Sequence, residues 1–323
     1  MNIKSIRLIF FVLLVCISYS AICQNKKTPI FKVVPLGVKG GIDESNLSSY
    51  MLAVNGTNDY ICLDAGTLNA GIQKAVDAGI FKNLSANDIL KRYVKGYCIS
   101  HAHLDHLSGL IINSPDDTAK NIYGMPYCLD VLKSNYFTWK NWANFTDDGE
   151  KPLLNKYHYT PLTEAKETLL QGTSMYVTAF GLSHATPFKS TAFLIRSNDA
   201  YLLYLGDTGA DSIEHSNKLA MLWQQVAPLI RDKKLKAIFI EVSYPDEQPL
   251  TKLFGHLTPA LVMKEMNALA ALAGTDAMKD LPIAITHIKP SGNNEKLIKQ
   301  ELQQLNNLML KLVYPKQATA LLF

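Results

Sequence analysis

Apolar residues in this chain follow two rhythms. Short runs rich in Val, Ile, Tyr and Phe at residues 30–38, 50–54, 60–66 and 94–100 are bounded by turn-forming residues and read as strands. Residues 175–182, 190–197, 200–207, 235–243 and 282–288 repeat that pattern. Between them, apolar positions three and four apart mark helices at 68–81, 218–230, 260–273 and 295–312. Pro259, just past Thr258, is well placed to open the third of these. No repeat, low-complexity tract or linker interrupts the chain. Strands in two groups, with helices spread through both halves, imply one sheet-on-sheet core clothed by helices. A single domain over 24–323 is therefore expected.

The first 23 residues do not fit that scheme. Lys4 and Arg7 precede a ten-residue apolar run at 8–17, and small residues follow it. That is the layout of a secretory signal, and a spanning helix would need about 20 apolar residues. Cleavage after Cys23 would place Ala21 and Cys23 at the small positions of the site. A lipid-modified Cys23 is the rival reading, and bulky Ile22 weighs against it. The expected product is a secreted or periplasmic protein beginning near Gln24, with no stable membrane insertion. Lys4 and Arg7 account for two of the four net positive charges, so the mature chain offers little attraction for nucleic acid. With 48% hydrophobic and 19% charged residues over 323 positions, a disordered chain or coiled coil is excluded. Cys62, Cys98 and Cys128 remain after cleavage, an odd number without a CxxC pair, so neither a disulfide framework nor a cysteine zinc site is expected.

The chemistry is concentrated in histidine. His101, His103 and His106 lie within six residues, with Asp105 among them. In an extended turn, residues two apart face the same way, so His101 and His103 can grip one ion. Asp105 and His106 then project towards a neighbouring position. Four such donors exceed what one tetrahedral ion takes from a single loop, so two metals side by side are the economical reading.

Residues 101–115, HAHLDHLSGLIINSP, resemble the signature of the class II cyclic-nucleotide phosphodiesterases of the metallo-β-lactamase superfamily. Segments 36–52, 61–66, 205–209, 254–259 and 285–291 are similar to further blocks of that family in the same order. The resemblance implies an α/β fold, a four-layered αββα sandwich with a two-metal site at one edge. It implies His101, His103 and His184 on the first metal and Asp105, His106 and His287 on the second, with Asp207 bridging. No ligand position is missing. Asp64 would brace the ligand loop. His158 and His215 match no ligand block and read as surface residues. Gly37, Gly40 and Gly41 read as a tight turn beside the site.

Five imidazoles and two carboxylates favour two divalent ions of zinc type. Water held between such ions is deprotonated near neutrality, and the expected reaction is hydroxide attack on the phosphorus of a 3′,5′-cyclic nucleotide. Cyclic AMP, with cyclic GMP beside it, would become the 5′-monophosphate. Competing readings are a β-lactamase or nuclease of the same fold, and an exported metal- or nucleotide-binding protein without activity. A homodimer is left open. Glu241 ends a strand and His256 precedes a helix, an arrangement similar to the tRNA-processing nucleases of the superfamily. His256 is accordingly expected as general acid or phosphate contact, with Glu241 orienting it and Asp105 joining the catalytic group. An aromatic-rich insert near 121–160, from Tyr123 to Tyr159, is expected either to wall the nucleotide or to pack a helical insert or dimer contact.

Overall fold

The structure, a computed structural model, describes residues 29–323. The targeting segment expected at 1–23 lies outside the described residues. The first half runs β1 (Phe31–Gly37), β2 (Ser49–Val54), β3 (Tyr60–Leu63), α1 (Asn69–Asp77), α2 (Ala86–Arg92), β4 (Val94–Cys98), α3 (Leu104–Asn113), β5 (Lys120–Gly124), α4 (Pro126–Val131) and β6 (Tyr157–Pro161). The second half opens with β7 (Glu167–Leu169), β8 (Tyr176–Ser183), β9 (Lys189–Ser197) and β10 (Ala200–Leu205). It continues with α5 (Asp211–Glu214), α6 (Lys218–Arg231), β11 (Leu235–Glu241), α7 (Pro259–Ala273), α8 (Thr275–Met278), β12 (Pro282–Thr286), α9 (Asn294–Leu305) and β13 (Lys311–Val313). The chain returns to the first sheet as β14 (Leu321–Leu322).

Among the described residues there are two seven-stranded sheets, ordered β14-β1-β2-β3-β4-β5-β6 and β13-β12-β11-β10-β9-β8-β7. Each has three antiparallel pairings and then three parallel ones, with the change at β3/β4 and at β10/β11. Phe31, Tyr50, Phe193, Tyr204 and Phe239 pack between the sheets. Leu36, Ile72, Ile89 and Leu110 fill the layer between the first sheet and its helices. Trp223, Ile238, Met266 and Ile298 do the same for the second. Three apolar layers between four layers of elements make the αββα sandwich. Parallel strands buried on both faces carry nearly continuous apolar runs, which is why β4, β11 and β12 were legible as strands.

Two local expectations are corrected. The helix expected to reach residue 312 stops at Leu305. There Asn306 folds back on Leu310, its side chain accepting from the Leu310 N–H at 2.9 Å and donating to the Leu310 carbonyl at 2.9 Å. That turn sends residues 311–313 into β13 beside β12. The expected insert is also narrower than residues 121–160, because β5 and β6 belong to the sheet and only the chain between them leaves it. No helix among the described residues is long and apolar enough to cross a membrane.

Candidate metal centre

The carboxyl ends of β3, β4, β10, β11 and β12 open on one edge, where each sheet changes from antiparallel to parallel pairing. The H-x-H-x-D-H stretch divides there into two conformations rather than one extended turn. Residues 99–103 belong to no helix or strand, and His103, in an extended conformation, is the N-cap of α3. Asp105 and His106 lie in the first helical turn, where each residue rotates by about 100°. The helix sends Asp105 towards His287, while the His106 ring stays beside His101, with centroids 4.2 Å apart. Leu107, Leu110 and Ile111 supply its buried face. Gly109 permits the seating: a Cβ there would lie 2.7 Å from the Ala65 carbonyl oxygen, and its N–H donates to Gly66 at 3.0 Å.

Asp207, two residues past β10, is the hub. Its carboxylate lies 3.8 Å from His101 Nε2, 3.3 Å from His106 Nε2, 3.9 Å from His184 Nε2 and 3.2 Å from His287 Nε2. His184 follows β8, and its Nε2 stands 3.4 Å from His103 Nδ1. His287 follows β12 and meets Asp105 Oδ2 at 3.1 Å. The backbone N–H of Gly41 donates to the same Asp105 oxygen at 2.9 Å, and a Cβ at Gly40 would collide with the His287 ring. Donor atoms of His101, His103 and His184 fall within 4.8 Å of one another, as do those of Asp105, His106 and His287. The structure thus brings together all seven residues expected as ligands.

The opposite nitrogens decide what these rings can do. His106 Nδ1 meets Asp64 Oδ2 at 2.7 Å, and His184 Nδ1 meets the Gly255 carbonyl at 2.8 Å. Both partners only accept, so these nitrogens carry the proton and Nε2 presents a lone pair. Ser100 Oγ donates to Asp64 at 2.8 Å and lies 2.9 Å from His101 Nδ1. Ser243 Oγ donates to Glu241 at 2.7 Å and lies 2.9 Å from His287 Nδ1. When these rings are neutral and held this way, their Nε2 lone pairs face a carboxylate, an arrangement that a cation between them makes favourable. His101 Nε2 and His106 Nε2 are buried without a hydrogen-bond partner. An orphaned buried imidazole nitrogen is costly, and a divalent ion would satisfy both. The donor set fits a metal.

Electrostatics agree. Burial would depress His106, but Asp207, Asp64 and Asp105 surround it and hold its pKa well above the usual imidazole value. The site draws positive charge. Burial, aided by His184, pulls His103 down to about 4, so it is a free base at neutral pH. Glu241 is buried at the end of β11. Its Oε1 lies 2.8 Å from His256 Nδ1, and the Thr208 N–H donates to it at 3.3 Å. Burial, with the Asp207 charge adding to it, pushes Glu241 up to about 7, while burial brings His256 down to about 4. The two titrate as a pair holding one proton up to about neutrality, on whichever partner the surroundings favour.

His158 and His215 lie outside the cluster on exposed positions, His158 against Asp147. Of the aromatic segment, Tyr123, Phe137 and Tyr157 are buried in the core, and Tyr127 borders the cavity beside His103. Most of that segment packs the fold. Ser100, Ser243 and Tyr204, whose hydroxyl donates to Asp64 at 2.6 Å, were not singled out in the sequence. The position of Ser100 immediately before His101 was the one available signal.

The profile of the family described as cAMP phosphodiesterases class-II matches residues 80–312. A 3′,5′-cyclic-nucleotide phosphodiesterase of Aliivibrio fischeri is 38% identical over 97% of this chain and 98% of its own. A cAMP/cGMP-dependent 3′,5′-cAMP/cGMP phosphodiesterase A of Dictyostelium discoideum is 29% identical over 88% of this chain and 79% of its own. Among solved structures, unliganded yeast PDE1 superposes with a TM-score of 0.80 over 91% of this chain and 99% of that one, at 22% identity. The short form of human tRNase Z reaches 0.52 at 16% identity, over 90% of this chain and 98% of that one, a likeness of fold.

Proposed function

The chain belongs to the class II cyclic-nucleotide phosphodiesterases, metal-dependent hydrolases, and from that premise we propose that it is an exported enzyme converting 3′,5′-cyclic AMP, and cyclic GMP beside it, to the 5′-monophosphate. The observation that carries this reading is the Asp207 carboxylate ringed by imidazole lone pairs, beside a glutamate-held His256. His101, His103 and His184 would hold one divalent ion and Asp105, His106 and His287 a second, with Asp207 touching both. Zinc suits a set dominated by imidazoles. Such ions supply Lewis-acid charge and an activated water.

The protein's own groups have separate tasks. Asp64, Ser100, Ser243 and the Gly255 carbonyl hold the outer nitrogens of four rings, so that Nε2 faces inwards. His256 is engaged at Nδ1, which leaves Nε2 as the atom able to give a proton to the departing ribose 3′ oxygen or to contact the phosphate. Glu241 keeps that ring in place and shares its proton. Export rests on the pattern of residues 1–23, and cell fractionation tests it.

Incubation with 3′,5′-cyclic AMP and identification of the product is the deciding experiment. Release of 5′-AMP supports the reading; 3′-AMP, or no product from metal-loaded protein, overturns it. Parallel assays with a cephalosporin and with RNA test the other hydrolases of this fold.

A further inference from the structure

A cavity of about 350 Å³ adjoins the metal centre, with His101, His103, Tyr127, Val131, Phe188 and Lys189 among its walls. A space of that size suits a small-molecule group. Phe188 is 55% exposed, and its ring stands edge-on to His103 with centroids 4.9 Å apart. A lone exposed ring is ordinary on a protein surface, but this one lines the cavity and stands against a candidate metal ligand. Tyr127 is fixed through its hydroxyl, which bonds the Ser190 carbonyl and lies 2.8 Å from Thr191 Oγ1. Its ring is thereby held as a wall. The Lys189 ammonium lies 5.8 Å from the centre of that ring, and Lys189 has no carboxylate partner among the described residues.

We infer that this cavity is the base subsite, in which the purine stacks on Phe188 against the wall formed by Tyr127 while Lys189 reads the base edge. The inference rests on the cyclic-nucleotide reading above. His103 belongs both to the metal centre and to the cavity wall. A nucleotide whose phosphate lies at Asp207 therefore needs only its ribose to carry the base into the cavity. Aromatic stacking accepts any purine, so discrimination falls to the polar contact. An ammonium offers three donors and no acceptor. Guanine presents N7 and O6 side by side, both acceptors, whereas adenine sets an N6 donor beside N7. Lys189 accordingly favours cyclic GMP over cyclic AMP.

The test uses metal-loaded enzyme with cyclic AMP, cyclic GMP and the base-free 3′,5′-cyclic phosphate of 1-deoxyribose. Phe188→Ala should raise KM for both nucleotides about ten-fold and for the base-free ester far less, and Phe188→Trp should restore the nucleotide values. Lys189→Met should lower kcat/KM for cyclic GMP about ten-fold with a much smaller change for cyclic AMP. An equal rise on all three substrates in Phe188→Ala would overturn the stacking role, because Phe188 would then act through His103. A Lys189→Met loss shared by all three would make Lys189 an attractor of phosphate and overturn its role at the base. Inactivity of the wild type on every substrate would count against the phosphodiesterase reading instead. Calorimetric binding of 5′-GMP would then judge the subsite: binding weakened about ten-fold by Phe188→Ala supports it, and undiminished binding overturns it.

Discussion

The two halves of the molecule build the same bracket. Behind β3 and β4, the Asp64 carboxylate meets Ser100 Oγ and His106 Nδ1, and Ser100 in turn meets His101 Nδ1. At the end of β11, the Glu241 carboxylate meets Ser243 Oγ and His256 Nδ1, and Ser243 in turn meets His287 Nδ1. Each serine stands two residues past its strand, at the equivalent place beside the antiparallel-to-parallel change. The output differs. The first bracket aims two imidazoles at Asp207, both with Nε2 buried and unpartnered. The second aims His287 at Asp105 and Asp207 and fastens His256 Nδ1 to Glu241, 3.8 Å from Asp207.

Neighbouring groups account for the difference. Asp64 also accepts from the Tyr204 hydroxyl and the Ser100 N–H, so it meets four donors. Glu241 has only the longer Thr208 N–H beyond its bracket partners, and it lies within the field of Asp207. A fully engaged carboxylate holds its imidazoles rigidly in one tautomer, as metal binding requires. A less engaged one, raised to about 7 chiefly by burial, can share a proton with its imidazole. One frame thus serves three ligands and one working histidine.

The comparison breaks most completely at the hub that both brackets face. Asp207→Ala should leave the dialysed protein with residual metal and no measurable cyclic AMP hydrolysis. Asp64→Asn should retain both ions, with affinity lower by about 10–100-fold. Metal analysis of the two variants side by side decides the matter, since equal losses would erase the distinction between ligand and brace.

Next in size is the working imidazole. His256→Ala should lower kcat for cyclic AMP about 10²–10⁴-fold at unchanged metal content, and far less for a diester with a nitrophenol leaving group. The raised Glu241 keeps the pair's proton below pH about 7 and gives it up above. Wild-type kcat for cyclic AMP should therefore decline as pH rises through about 7, and this limb should vanish in His256→Ala. A limb that persists in the variant removes His256 from proton transfer.

The serines sharpen the parallel. Ser100→Ala and Ser243→Ala should each weaken metal binding by about 10–100-fold in competition with a chelator, while only Ser243→Ala also disturbs the pH limb. Identical pH profiles would show that the two brackets do the same work. The smallest effect concerns the donor that only the first bracket has. Tyr204→Phe should cost about 1.5–3 kcal/mol of stability in denaturant unfolding of the chelated protein, the range for a hydrogen bond to a charged group. An unchanged midpoint would mean that Asp64 is satisfied without it.

Much of the candidate site was legible because its information is local. The spacing of His101, His103, Asp105 and His106 is readable without a fold, and His184, Asp207 and His287 each follow a recognisable strand. The serines were not legible, because a hydroxyl means nothing until its partner is known, and Ser243 finds His287 at 44 residues' remove. The role of the aromatic segment stayed open in the sequence for a related reason. Tyr123 and Tyr157 are needed inside the sandwich, and an aromatic residue announces burial without saying against what.

Composition and periodicity determined the layers of this protein, since strands buried on both faces and helices with one apolar face have few ways to stack. Local motifs determined the kind of chemistry, since clustered imidazoles and carboxylates suit few tasks other than holding cations. Only the tertiary structure decided which nitrogen of each ring faces the centre and that Glu241 is the carboxylate that holds His256. Those outcomes depend on partners far apart in the chain: Asp64 meets His106 across 42 residues and Ser243 meets His287 across 44, while Tyr204–Asp64 and His287–Asp105 form only once both sheets have closed on their shared core.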